Sequence, residues 1–179
     1  MQIDRLIRAF VEKVNSQPRE MEALEEVPPG VREGVPDELW TSWRIVKSDN
    51  SASIADLENR LGKRFPPSFR HLVSNYCFPA FEFGPLMLFA NTGRDTFWEL
   101  SKRLFADPHM SPALLDAGFI QIGNPYFYNY DPVCFDSNGA SSECRIVQLD
   151  HEPILQFGTF NVIQEISPSF IEFLKQRLD

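Results

Sequence analysis

The reactive side chains of this 179-residue chain are few: three histidines (His71, His109, His151) and three cysteines (Cys77, Cys134, Cys144). The densest grouping is Asp150-His151-Glu152, an imidazole between two carboxylates. A carboxylate that orients an imidazole prepares it as a general base. Neighbours on an extended chain point to opposite sides, however, which places Asp150 badly for holding His151. The tripeptide therefore reads as a solvated strand end. His71 falls inside a helical stripe next to Leu72, and His109 sits between Pro108 and Met110 with no partner at metal-ligand spacing. The chain has no Gly-x-Ser-x-Gly, no His-Glu-x-x-His and no glycine-rich phosphate loop. The expectation is a protein with no catalytic residue, no metal and no cofactor.

The cysteines are odd in number and form no Cys-x-x-Cys pair, the pattern of reduced thiols in a cytoplasmic protein. Cys77, between Tyr76 and Phe78, reads as a buried and inert thiol. Cys134 and Cys144 can meet across a hairpin, but the compartment argues against a functional disulfide. The other chemical feature is a loop with Tyr126, Tyr128 and Tyr130 at alternate positions and Phe127 between them. Tyrosines suit a protein interface because they bury area and keep a polar tip. They equally suit covering an open sheet face within the same molecule, and the residues alone leave both uses standing.

The formal charge of −8 and isoelectric point near 4.9 repel phosphate backbones, which speaks against direct nucleic-acid binding. The same charge suits a basic protein partner, although a moderate negative charge also serves solubility alone. No apolar run approaches the ~20 residues of a membrane span, and Met1 to Val14 lacks the unbroken apolar core of a signal peptide. Sixteen phenylalanines imply an aromatic core or an aromatic surface patch.

These residues must be positioned by the surrounding elements. Ile3, Leu6, Ile7, Phe10, Val11 and Val14 make one stripe of an N-terminal helix that packs on the main domain. Residues 16–38 are acidic and broken by Pro and Gly, which predicts a short helix near Glu20–Glu26 and then an extended linker. The domain boundary is placed between 1–39 and 40–179. Trp40–Val46 reads as a strand. Ser53 with Asp56 caps a helix whose stripe is Ile54, Leu57 and Leu61, ended by Gly62. Phe65-Pro66-Pro67-Ser68 starts a second helix that buries Phe69, Leu72, Val73 and Tyr76. Phe81–Phe89 is extended with a turn or bulge at Gly84-Pro85. Thr96 and Ser111-Pro112 start two short helices. Strands follow at Phe119–Ile122 (stopped by Gly123 and Asn124), Val133–Phe135, Arg145–Leu149 and Ile154–Phe160, with a turn at Asp136–Gly139. Ser167-Pro168 caps a closing helix that turns Phe170, Ile171, Phe173, Leu174 and Leu178 inward. The predicted fold class is α+β: a mostly antiparallel sheet with helices against one side and a C-terminal helix.

Three ordered motifs resemble the SUKH superfamily, which includes a fungal cell-wall assembly regulator and many bacterial immunity proteins. The first is Ile54-Ala55-Asp56-Leu57-Glu58 through Leu61-Gly62, Phe65-Pro66 and Phe69-Arg70-His71-Leu72. The second is Phe119-Ile120-Gln121-Ile122-Gly123-Asn124 with Val133-Cys134-Phe135-Asp136. The third is Ile146-Val147-Gln148-Leu149-Asp150-His151 with Ser167-Pro168-Ser169-Phe170-Ile171-Glu172-Phe173-Leu174. They cover about residues 40 to 178. Two positions depart from the family's pattern: Phe65 replaces a small aliphatic, and the loop 124–132 is aromatic rather than Gly/Asp-rich.

The resemblance implies a SUKH-like domain without catalysis. Its role would be that of an immunity protein neutralising a cognate, basic, nuclease-type toxin, or alternatively an intracellular scaffold of the cell-wall assembly regulator type. Under that implication the partner-binding candidates are Tyr126, Tyr128 and Tyr130, with Asp131, Asp136, Glu143, Asp150 and Glu152 flanking them as an acidic face.

Overall fold

The computed structural model describes residues 2–17, 20–21, 29–33, 41–92, 98–125, 130–139 and 142–178. Apolar residues at helical spacing build α1 (Gln2–Asn15), which buries Ile7, Phe10, Val11 and Val14. The Asn15 side chain closes α1 by exchanging two hydrogen bonds with the Ile45 backbone, donating to its carbonyl at 2.9 Å and accepting from its amide at 2.8 Å. The acidic segment is tied to the domain. Short strands β1 (Glu20–Met21) and β2 (Arg32–Glu33) flank β3 (Thr41–Trp43) in an antiparallel three-stranded sheet. At Glu20 and Met21 this replaces the predicted helix; the rest of that prediction, 22–26, and Trp40 lie outside the described residues. Val31 joins the same core as α1.

Next come β4 (Val46–Lys47), α2 (Ser51–Leu61), α3 (Pro67–Asn75) and β5 (Tyr76–Cys77), which pairs back to β4. Gly62 ends α2 in the left-handed conformation (φ 64°) as its sequence position predicts. The start of α2 differs from expectation: Asn50, not Ser53, stands at its N-cap, with its side chain turned inward. The Asn50 amide donates to the Val73 carbonyl at 3.0 Å, joining α2 to α3. Phe69, Leu72, Val73 and Tyr76 are buried as predicted.

Strands β6 (Phe81–Phe83) and β7 (Leu86–Leu88) form a hairpin, followed by α4 (Trp98–Leu104), α5 (Met110–Asp116), β8 (Phe119–Pro125), β9 (Val133–Asp136) and β10 (Arg145–Leu149). After them come α6 (His151–Phe157), β11 (Val162–Ser167) and α7 (Phe170–Leu178). Strands β6 to β11 make a six-stranded antiparallel meander in chain order, with β6 and β11 at its edges.

Four expectations are corrected here. Gly123 and Asn124 do not stop β8; they continue it opposite Leu88 and Met87 of β7. A Cβ at Gly123 would collide with the Met87 carbonyl oxygen and the Leu86 side chain, so glycine permits the close pairing. Ile154–Phe160 is not a strand: residues up to Phe157 are α6, and the edge strand begins at Val162. The cap of α7 is Ser169, whose hydroxyl accepts from the Glu172 amide at 3.1 Å, rather than Ser167.

The fourth correction concerns the layers: helices cover both faces of the sheet. Alternation along the strands sends Ile120, Phe135 and Ile146 into the large core with residues of α1, α2, α3 and α7. Phe119, Cys134, Val147 and Leu149 point the other way, into a smaller cluster with Met110, Leu114 and Ile154 of α5 and α6. The phenylalanines are mainly core. Phe69 meets Phe135 edge-on at 5.1 Å and Phe170 at 5.3 Å, while Phe83 meets Phe10 at 4.7 Å and Phe173 at 5.5 Å. Such edge-on pairs contribute about 0.5–1.5 kcal/mol each beyond their buried area.

Candidate functional site

The predicted acidic face does not form one surface. Antiparallel pairing of β9 with β10 sets Arg145 opposite Asp136 and Gln148 opposite Val133. Asp131, Asp150 and His151 therefore gather at one end of the strand pair, and Asp136 and Arg145 at the other.

At the first end, Asp131 precedes β9 and is only 6 % exposed. Its carboxylate accepts from the His151 amide (3.1 Å) and from Gln148 Nε2 (3.1 Å), and lies 2.7 Å from His151 Nδ1. An ionised carboxylate only accepts, so the Nδ1 that faces it is the protonated nitrogen. His151 thus does have a carboxylate partner, but it is Asp131 from across the sheet rather than adjacent Asp150. Asp150 instead caps α6, accepting from the Glu152 amide at 3.1 Å. The expected solvated strand end is a helix start. Asp131, Asp150 and His151 bring one potential metal-ligand atom each within 4.8 Å of one another. These groups already serve the fold: Asp131 ties the start of β9 to Gln148 of β10 and His151 of α6, and Asp150 caps α6. The Tyr130 ring, 76 % exposed, sits 6.0 Å from that of His151.

At the second end, Asp136 is buried and accepts two bonds from the Arg145 guanidinium, from Nε at 3.0 Å and Nη2 at 2.7 Å. It also accepts the Asn138 amide at 3.0 Å. Hydrogen bonding to Asp136 raises the Arg145 pKa. Glu143 reaches α3, where Oε1 accepts the Ser68 amide at 2.9 Å and Oε2 the Ser68 hydroxyl at 2.6 Å. Pro66, the N-cap of α3, has no side-chain acceptor, and Glu143 supplies one from a distant loop. Of the five acids, only Glu152 is exposed. Tyr126 and Tyr128 lie outside the described residues.

Cys134 and Cys144 do not meet. The first is in the smaller cluster and the second in the large core, and all three thiols are free. Burial pushes both thiols up in pKa, Cys134 well above its usual value.

Sequence reasoning missed the apolar residues around α6 and β11. Leu155 and Phe157 on α6, and Val162 and Ile163 on β11, are 50, 74, 44 and 51 % exposed. Residues 150–161 form a closed excursion, with the Asp150 amide donating to the Asn161 carbonyl at 3.0 Å and Leu149 opposite Val162. Four of the six large apolar side chains exposed among the described residues lie on α6 and β11; of the others, Tyr130 stands by His151 at the start of α6, and Phe105 lies beneath Arg60. The signal for α6 is present in the sequence: Asp150 at a cap position, Pro153 in the first turn and Gly158 at the end.

No helix among the described residues is long and apolar enough to cross a membrane. Comparison with protein-family models gives no match, and comparison with curated proteins gives none either.

Proposed function

We propose that this chain is a non-catalytic, SUKH-like protein-binding domain that neutralises a basic, nuclease-type toxin, and that it meets this partner through Tyr130, α6 and β11. The observation that carries the reading is the exposure of Leu155, Phe157, Val162 and Ile163 beside an edge strand. An edge strand offers unpaired amides and carbonyls to an incoming strand, and its side chains set which strand fits. Clustered exposed apolar residues mark interaction surfaces more often than scattered ones do. Glu152 on the rim and the net charge of −8 favour a basic partner and speed encounter at low salt.

The predicted acidic face contributes less than expected, because Asp131, Asp136 and Glu143 hold the fold together. The alternative is a scaffold of the cell-wall assembly regulator type, using the same corner for a different partner.

The test is co-expression with the product of the adjacent reading frame. Rescue of growth together with co-elution as one complex supports neutralisation. Binding without rescue points to the scaffold. Absence of both binding and rescue would overturn the toxin-neutralising reading.

A further inference from the structure

A second surface, remote in chemistry from the acidic whole, lies along α3. Pro67, Arg70, His71 and Ser74 share one face of that helix, spaced at i, i+3, i+4 and i+7. They form the floor of a groove of about 620 Å³, walled by Arg64 on one side and Ser142 on another. The volume is within the usual range for small-molecule sites. The lining holds two arginines, Arg64 and Arg70, and His71, with no carboxylate among its side chains; the Cys144 thiol also lines it, with its pKa pushed up by burial. In a chain of net charge −8, such a concentration is against the average of the surface.

Two guanidiniums here share one carboxylate. Glu58 is buried, and its Oε2 takes Arg70 Nε at 3.3 Å and Arg64 Nη1 at 3.5 Å. Its other oxygen accepts the Phe65 amide at 3.1 Å. Glu58 neutralises one of the two charges, leaving the other for the groove. Because Arg70 is held through Nε, its outer edge, Nη1 and Nη2, has no partner among the described residues. That edge is the fork that binds an oxyanion through two parallel hydrogen bonds. His71 is turned partly away, with Nε2 3.4 Å from Asp4 of α1. Hydroxyls of Ser74 and Ser142 and the amide of Asn75 supply neutral donors along the same groove.

We infer that this groove binds a small anionic ligand through a phosphoryl or carboxylate group, with the outer edge of Arg70 as its anchor and Arg64 as a second donor. The site is separate from the α6–β11 corner and does not rest on the toxin-neutralising reading. Glu58 is then a positioning residue: buried, it fixes the Arg70 head before the ligand arrives.

The experiment is titration of the full chain with sodium phosphate and, separately, with citrate, followed by ¹H–¹⁵N spectra that include the arginine Nε–H signals. Saturable shifts at Arg70 and along α3 are expected with at least one anion, and the responsive anion identifies the group. Arg64→Gln and Ser142→Glu alter exposed side chains, so both variants should fold. Each should weaken binding by at least about tenfold, Ser142→Glu by placing a like charge in the groove. Absence of saturable shifts with both anions, or unchanged affinity in both variants, would overturn the assignment.

Discussion

Glu143 separates a carboxylate that serves the fold from one that serves a partner. The structure gives Glu143 two hydrogen bonds to Ser68, at 2.9 and 2.6 Å, at the otherwise uncapped start of α3. Replacement by alanine removes both acceptors and the negative charge near the helix N-terminus. Loss of a cap costs up to about 2 kcal/mol, and bonds to a charged acceptor place this case at the upper end. At about 2.1 cal/mol/K per residue, the 179 residues unfold with an entropy of about 0.38 kcal/mol/K. Glu143→Ala should therefore lower Tm by about 5 °C in a reversible two-state melt.

Ser68→Ala keeps the amide bond and loses only the hydroxyl, so about half that shift is expected. The double variant should melt close to Glu143→Ala alone, because the hydroxyl bond can be lost only once. A solvated surface glutamate would change stability by at most about 0.5 kcal/mol. A Glu143→Ala protein melting within about 1 °C of wild type, or strictly additive shifts in the double variant, would refute the capping role.

Two further outcomes follow from named contacts. Gly123→Ala should destabilise by roughly 1–3 kcal/mol in urea unfolding, because the new Cβ forces β7 and β8 apart; an unchanged midpoint would contradict the close pairing. Asp107 accepts the Met110 and His109 amides at the start of α5, and the Met110 bond in particular lowers its pKa. A lowered carboxylate contributes stability that is complete above its unfolded pKa of about 4 and is lost as pH falls through the folded value. Asp107→Asn should thus reduce stability near neutral pH and flatten the acid limb of the stability profile. An acid limb identical to wild type would contradict it.

The helical stripes and their stops were legible because their determinants are local. Ile7, Phe10, Val11 and Val14 repeat at helical spacing, and Gly62 takes the left-handed conformation wherever its neighbours lie. The errors arose where distant chain decides. Gly123 reads as a strand end, yet pairing with β7 keeps it extended. Ile154–Phe160, rich in Ile, Leu and Phe, reads as a strand when taken alone, while the Asp150 cap and Gly158 make residues up to Phe157 helical. Asp131 and His151 are twenty residues apart in sequence, and only the β9–β10 register brings them together. The same register separates Asp136 and Glu143 from the other acids. Burial on both sheet faces was hidden because residues such as Cys134 and Val147 look alike in sequence whichever face they occupy.

On the proposed reading, the α6–β11 corner is the protein-binding surface. Its most direct test is the affinity of the adjacent reading frame's product for wild-type protein and for the Phe157→Ser/Ile163→Lys double variant, measured by calorimetry. Both side chains are largely exposed, so the variant should melt like wild type. Removal of two apolar anchors, each contributing about 2 kcal/mol at a buried interface centre, predicts binding weaker by at least about a hundredfold. Equal affinity for the two proteins would contradict the claim.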